Sequence, residues 1–81
     1  MKARQLPPYE ELSRAERERL YEHGLPVYLQ HDLDAFKDGL ENGSTLMDCL
    51  WCELYGSINS AQWSGEITQA QANCLRELYL F

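Results

Sequence analysis

The sequence predicts a small all-α bundle, with three main helices and a short peripheral helix ahead of them. Two observations predict it. Apolar residues recur at helical spacing in three separate stretches, and nowhere alternate with the period of two that marks a strand. Capping boxes and glycines punctuate those stretches as helix starts and stops. Residues 1–81 are expected to form one helical domain, in which residues 1–12 make an extended N-terminal arm.

Taken in chain order, the arm holds Pro7-Pro8 and little apolar material, with Leu6 and Tyr9 available to pin it to the body. Ser13-Arg14-Ala15-Glu16 is a capping box and Gly24 a helix stop, so a short helix is expected over Arg14 to Glu22. Its apolar anchors are Leu20 and Tyr21, and its charges alternate in sign, as on a solvated helix. The functional alternative is a docking arm that sets Arg14 and Arg17 against an acidic partner. Pro26 suits the first turn of the next helix, where its missing N–H does no harm. Leu29, Leu33, Phe36 and Leu40 then form a narrow seam, backed by an acidic side of Asp34, Asp38 and Glu41 with His31 and Asp32 at its edges.

After Asn42-Gly43, Ser44 and Thr45 are candidate caps for a third helix, with Asp48 favoured by the helix dipole. Leu46, Met47, Leu50, Trp51, Leu54, Tyr55 and Ile58 make one broad apolar stripe. The opposite side carries the small residues Cys49, Cys52 and Gly56. A mid-helix glycine costs about 1 kcal/mol relative to alanine, which implies a second element packed there and a helix enclosed on both flanks. The polar run Asn59 to Gly65 is expected to end or bend this helix. Thr68-Gln69-Ala70-Gln71 is a second capping box, and the last helix is expected to bury Ala72, Leu75, Leu78 and Tyr79, with Cys74 at the margin.

Charge and composition restrict function. The net charge is −6, and residues 20–81 carry nine acidic side chains against only Lys37 and Arg76. Such a body repels phosphate, so neither nucleic acid nor an anionic membrane is an expected partner. No apolar run reaches the ~20 residues that span a bilayer, and no signal-peptide pattern follows Met1. Three cysteines, an odd number, fit a reducing cytoplasm better than a disulfide-stapled domain.

No constellation for catalysis is evident, so no enzyme activity and no cofactor are expected. Cys49-Leu50-Trp51-Cys52 is formally C-x-x-C, but it lies inside a helix rather than at a strand-to-helix turn. A zinc site would need Cys74 with His23 or His31, which are scattered in the chain. Small core residues are the simpler account of the cysteines. Ser60 to Gln71 has the glycine and central isoleucine of an EF-hand loop, yet its ligand positions hold Ser60, Gln62, Ser64 and Gln71 rather than carboxylates.

Leu54-Tyr55-Gly56-Ser57-Ile58-Asn59-Ser60, Gly65-Glu66-Ile67-Thr68 and Leu75-Arg76-Glu77-Leu78-Tyr79-Leu80 resemble small uncharacterised proteins carried on bacterial mobile elements. The resemblance covers about half of the chain. It implies an accessory or host-interaction role and carries over no functional residues.

The function expected is therefore a non-catalytic module that binds a protein partner, with a homodimer as one form. Its large rings, Trp51, Trp63, Tyr28, Tyr55, Tyr79 and Phe81, are more than a compact bundle easily hides. The alternative is an acidic inhibitor that imitates nucleic acid, with Asp32, Asp34, Asp38 and Glu41 as partner-binding residues standing in for phosphates, joined by Asp48 and Glu53. A cysteine metal-binding domain is the third expectation.

Overall fold

Two capping boxes and three left-handed glycines, Gly24, Gly43 and Gly65, set the limits of the helices. The computed structural model describes residues 7–81. A 3-10 turn at Tyr9–Glu11 leads to α1 (Arg14–Tyr21), α2 (Val27–Asn42), α3 (Met47–Trp63) and α4 (Gln69–Tyr79); the described residues contain no strand. The stretch expected to be extended thus contains a helical turn, and Leu6 lies outside the described residues. Tyr9 is anchored: its hydroxyl donates to Glu77 and its ring meets Tyr21 edge-on at 5.9 Å.

Ser13 caps α1 and Thr68 caps α4, each hydroxyl accepting from the amide three residues on while Glu16 and Gln71 reach back. Gln71 also donates to the carbonyls of Tyr21 and His23, so one amide side chain serves two helix ends. Gly65, at φ 76°, closes α3. Gly65 N donates to the Gln62 carbonyl and Glu66 N to that of Ala61, a paired cap that only a residue tolerant of positive φ completes. Ile67 follows directly and is buried.

Two helix boundaries and one core position differ from expectation. Asn59 to Trp63 continue α3 because Asn59 and Gln62 have a use for their amides: Arg76 donates to both, at 2.6 and 2.7 Å. The first residue of α3 is Met47, preceded by a Leu46 cap with no side-chain bond, while Ser44 Oγ accepts from the Leu46 amide. On α2, Leu40 is exposed and Gly39 takes its place in the contact with α3. A Cβ on Gly39 would come within 2.6 Å of Leu50 Cδ1 and 2.9 Å of Met47 Sδ. A side chain at this position would have to displace the ends of Leu50 and Met47.

The main core joins Leu29, Leu33 and Phe36 of α2 to Leu54, Ile58 and Ala61 of α3 and Ala72 and Leu75 of α4. Each fully buried leucine or isoleucine contributes roughly 1.5–3 kcal/mol. Tyr21, Cys74 and Leu78 form a smaller cluster under α1, so Cys74 is buried there rather than marginal. Tyr79 packs against both clusters, and its hydroxyl donates to Glu22, which Lys37 contacts at 2.5 Å.

The molecule extends 47 × 28 × 18 Å. Two layers of helices, 8–10 Å between axes with Cα atoms about 2.3 Å from each axis, occupy about 13–15 Å, whereas three would need more than 20 Å. The thinnest dimension therefore accommodates two layers, and α3 is covered on one side only. The expected enclosure on both flanks is incorrect, for want of a third layer.

The two mid-helix glycines should respond oppositely in urea unfolding. Gly56→Ala, which adds a Cβ into open space, gains about 1 kcal/mol of helix propensity. Gly39→Leu forces Leu50 and Met47 aside and costs about 1–3 kcal/mol. Alkaline pH tests the Tyr79 contact. Burial first, and then its bond to Glu22, raise the phenol well above its usual value. A group whose folded pKa is raised gives full stabilisation below the unfolded pKa of about 10 and loses it as pH climbs further. Tyr79→Phe should cost about 1–3 kcal/mol at neutral pH and flatten the decline in urea midpoint above about pH 10.

Candidate functional site

The side of α3 that faces away from α2 and α4 shows Cys49, Cys52, Gly56 and Ser60 to solvent, all exposed, with Trp63 90% exposed at its C-terminal end. Nothing lies within 4 Å of where a Gly56 Cβ would stand. The line of small residues expected against a second element, and the cysteines expected as core, therefore look outward. On the neighbouring flank Trp51 and Tyr55 stack, ring centroids 5.1 Å apart and planes 10° from parallel. The Trp51 indole N–H donates to the Leu80 carbonyl at 3.4 Å, and Phe81 beyond it is exposed. The apolar stripe of α3 is thus divided. Leu54 and Ile58 enter the core, while its aromatic edge remains partly in water.

Between α2 and α3 runs a shallow groove of about 500 Å³, with Tyr28 and Asp32 on one wall, Cys52 and Glu53 on the other, and Gly56 and Ser60 along its course. Ser57 ties the walls together by donating to Asp32. Tyr28 donates to Glu66 at 2.8 Å, which raises the phenol pKa. The Ser64 hydroxyl, followed by that of Tyr28, lowers the pKa of Glu66. These bonds fix the groove at its Tyr28 end. A second hollow of about 400 Å³ lies beside Asn59, Gln62 and Trp63.

The four acidic residues singled out in the sequence do not stay together. Asp34, Asp38 and Glu41 are exposed on the outer side of α2, where Asp34 accepts from Gln30 and Asp38 from Asn42. Asp32 is half-buried and turned to Ser57, so it belongs to the groove. Asp48 and Glu53 are exposed on α3. Arg14 and Arg17 already lie over rings of their own chain, 5.6 Å from the centre of Tyr79 and 5.4 Å from that of Tyr9. The sequence places Glu53 and Ser57 beside Gly56, and gives no sign that Tyr28 and Ser60 join them. The signal available was the helix cost of Gly56, which marks a place where something approaches closely without saying from which molecule.

The cysteines are of two kinds. Cys74 is fully buried, and burial pushes its thiol up to about 11. Cys49 and Cys52 are exposed on α3. Among the described residues, no group of three or more His, Cys, Asp and Glu side chains is arranged to hold a metal. No helix of the described residues is long and apolar enough to cross a membrane. Native protein should react promptly with a thiol reagent at Cys49 and Cys52, and at Cys74 only in denaturant; mass spectrometry of modified peptides reads the order. No protein-family model, curated protein or solved structure matches the chain.

Proposed function

We propose that the chain is a non-catalytic protein-interaction module whose contact surface is the outward side of α3. In this reading α2, α3 and α4 form one acidic cytoplasmic domain with α1 as a peripheral attachment, and the protein serves a bacterial mobile element as an accessory factor. The observation that carries the reading is the character of α3. A helix that only meets water presents charge there; this one presents small residues and aromatic rings, with Asp48 and Glu53 its only charged side chains. Exposed tryptophan and tyrosine beside small residues are the usual anchors of a protein contact. A second copy of the chain is one partner of this class.

The second reading, an acidic inhibitor that imitates nucleic acid, draws support from the outer side of α2. Asp34, Asp38 and Glu41 are exposed along it, and at 1.5 Å rise per residue they span about 10.5 Å of helix. That is one charge per ~5 Å, somewhat sparser than the 3.4 Å of a phosphate strand. Lys37, the one cation of that helix, points to Glu22 instead.

One experiment separates the two. The immobilised chain is used to retain partners from the native cell, alongside Trp63→Ser and the double variant Asp34→Asn/Asp38→Asn. Folding of each is checked by circular dichroism. Trp63→Ser should weaken retention by roughly 30-fold, the effect of losing a hot-spot residue, and the double variant should retain normally. The reverse pattern supports the inhibitor, and indifference to both substitutions removes both readings. Sedimentation of the purified chain reports whether a second copy is among the partners.

A further inference from the structure

Building on the reading of α3 as the contact surface, we infer that the groove between α2 and α3 receives a cationic amphipathic helix of a partner protein. Its backbone passes over Gly56 and its lysine or arginine side chains reach Asp32 and Glu53.

Gly56 supplies the first part of the argument. It lies inside a 17-residue helix with no positive φ and with open space where a Cβ would be. Nothing among the described residues requires glycine there, in contrast to Gly39, where the ends of Leu50 and Met47 occupy the space of a Cβ. The helix nevertheless bears about 1 kcal/mol of lost propensity. A backbone arriving from outside uses that gap, because a residue without Cβ lets helix axes approach to the short end of the 8–10 Å range.

The spacing indicates that the arriving backbone is helical. Cys52, Gly56 and Ser60 fall at i, i+4 and i+8, a furrow that accepts the ridge of a second helix. A β-strand would need unpaired backbone groups to pair with, and α3, hydrogen-bonded along its length, has none to offer there.

Charge decides which helix. α2 and α3 together carry six carboxylates, Asp32, Asp34, Asp38, Glu41, Asp48 and Glu53, and one ammonium, Lys37, which is engaged by Glu22. Glu53 has no ion pair among the described residues. The same groove of a second copy would bring like charge to Asp32 and Glu53, whereas a cationic helix brings its complement. The exposed rings of Tyr55 and Trp63 offer faces on which further cations can rest.

The probe is a synthetic amphipathic helix with alanine and leucine on one side and flanking lysines, compared with a counterpart in which glutamate replaces lysine. Binding to the full chain is followed by tryptophan fluorescence and amide chemical shifts. The lysine peptide should saturate, with shifts centred on residues 52–60 and Asp32, and weaken several-fold with added salt. Gly56→Leu should weaken it about ten-fold or more while raising the melting temperature, and Glu53→Gln should weaken it and reduce its salt dependence. Asp34→Asn/Asp38→Asn should slow association and weaken binding far less than Gly56→Leu does, with the shifts still centred on residues 52–60. Equal binding of the glutamate peptide, indifference to Gly56→Leu, or loss with the α2 double variant overturns the inference. So does a dimer of the chain that Gly56→Leu breaks, because the groove then belongs to a second copy. A native partner lost with Trp63→Ser but bound through no cationic helix overturns this assignment alone and leaves the module reading standing.

Discussion

The arrangement of the molecule depends on where one carboxylate is held. Glu22 ends α1, and its side chain is only 8% exposed, in contact with the Lys37 ammonium from α2 and the Tyr79 hydroxyl from α4. Each partner satisfies a charge that burial would otherwise make costly, so the three helices are fixed at one point. The ring of Tyr79 extends the tie, since Lys37 and Arg14 lie over it and Phe36 meets its edge. A buried ionic contact of this kind adds little beyond a well-packed apolar one, but losing any single member leaves a charge or hydroxyl stranded. Its value here is positional. α1 has one fully buried residue, Tyr21, and too little apolar surface to find its place by burial alone.

A second tie is made by Arg76, which donates to Asn59 and Gln62 of α3 and to Asn73 of its own helix. With both ties in place, α2 and α4 lie against the same half of α3. Among the described residues, no helix covers the other half of α3. A short chain buries a modest share of its surface, roughly 60–65%, and this one leaves partly uncovered a 17-residue helix with only two charged side chains, Asp48 and Glu53.

Local signals in the sequence were reliable, and signals that require a count of neighbours were not. Ser13 with Glu16 and Thr68 with Gln71 identified two helix starts because both partners lie within one turn. Gly65 identified a helix end, and Leu29, Leu33 and Phe36 a core seam, for similarly local reasons. Asn59 to Trp63 looked like a break because their polarity is visible in the sequence, while the arginine that satisfies them is 14 to 17 residues away. Gly39 and Gly56 present the same letter in the same kind of helix, and their roles are opposite. Small residues on a helix say that something approaches closely; only the number of layers says whether it is the chain itself. Asp32 shows the same limit, since it stands at the edge of the side that holds Asp34 and Asp38, and Ser57 holds it in the groove.

The acidic charge of the body acts differently on its two exposed surfaces. On the outer side of α2, Asp34, Asp38 and Glu41 stand in open water, where screening over about 8 Å at physiological salt leaves them to steer an encounter more than to hold a complex. In the groove, Asp32 and Glu53 flank a strip of small and thiol side chains, so a partner that covers the strip also removes water from the two carboxylates. Desolvation makes an unmatched charge costly and a matched one selective. An apolar helix without cations would leave both carboxylates unpaired, and a cation without an apolar side would leave the strip wet. The long-range attraction of α2 and the short-range demand of the groove therefore favour the same partner. The first acts on how fast it arrives, and the second on whether it stays.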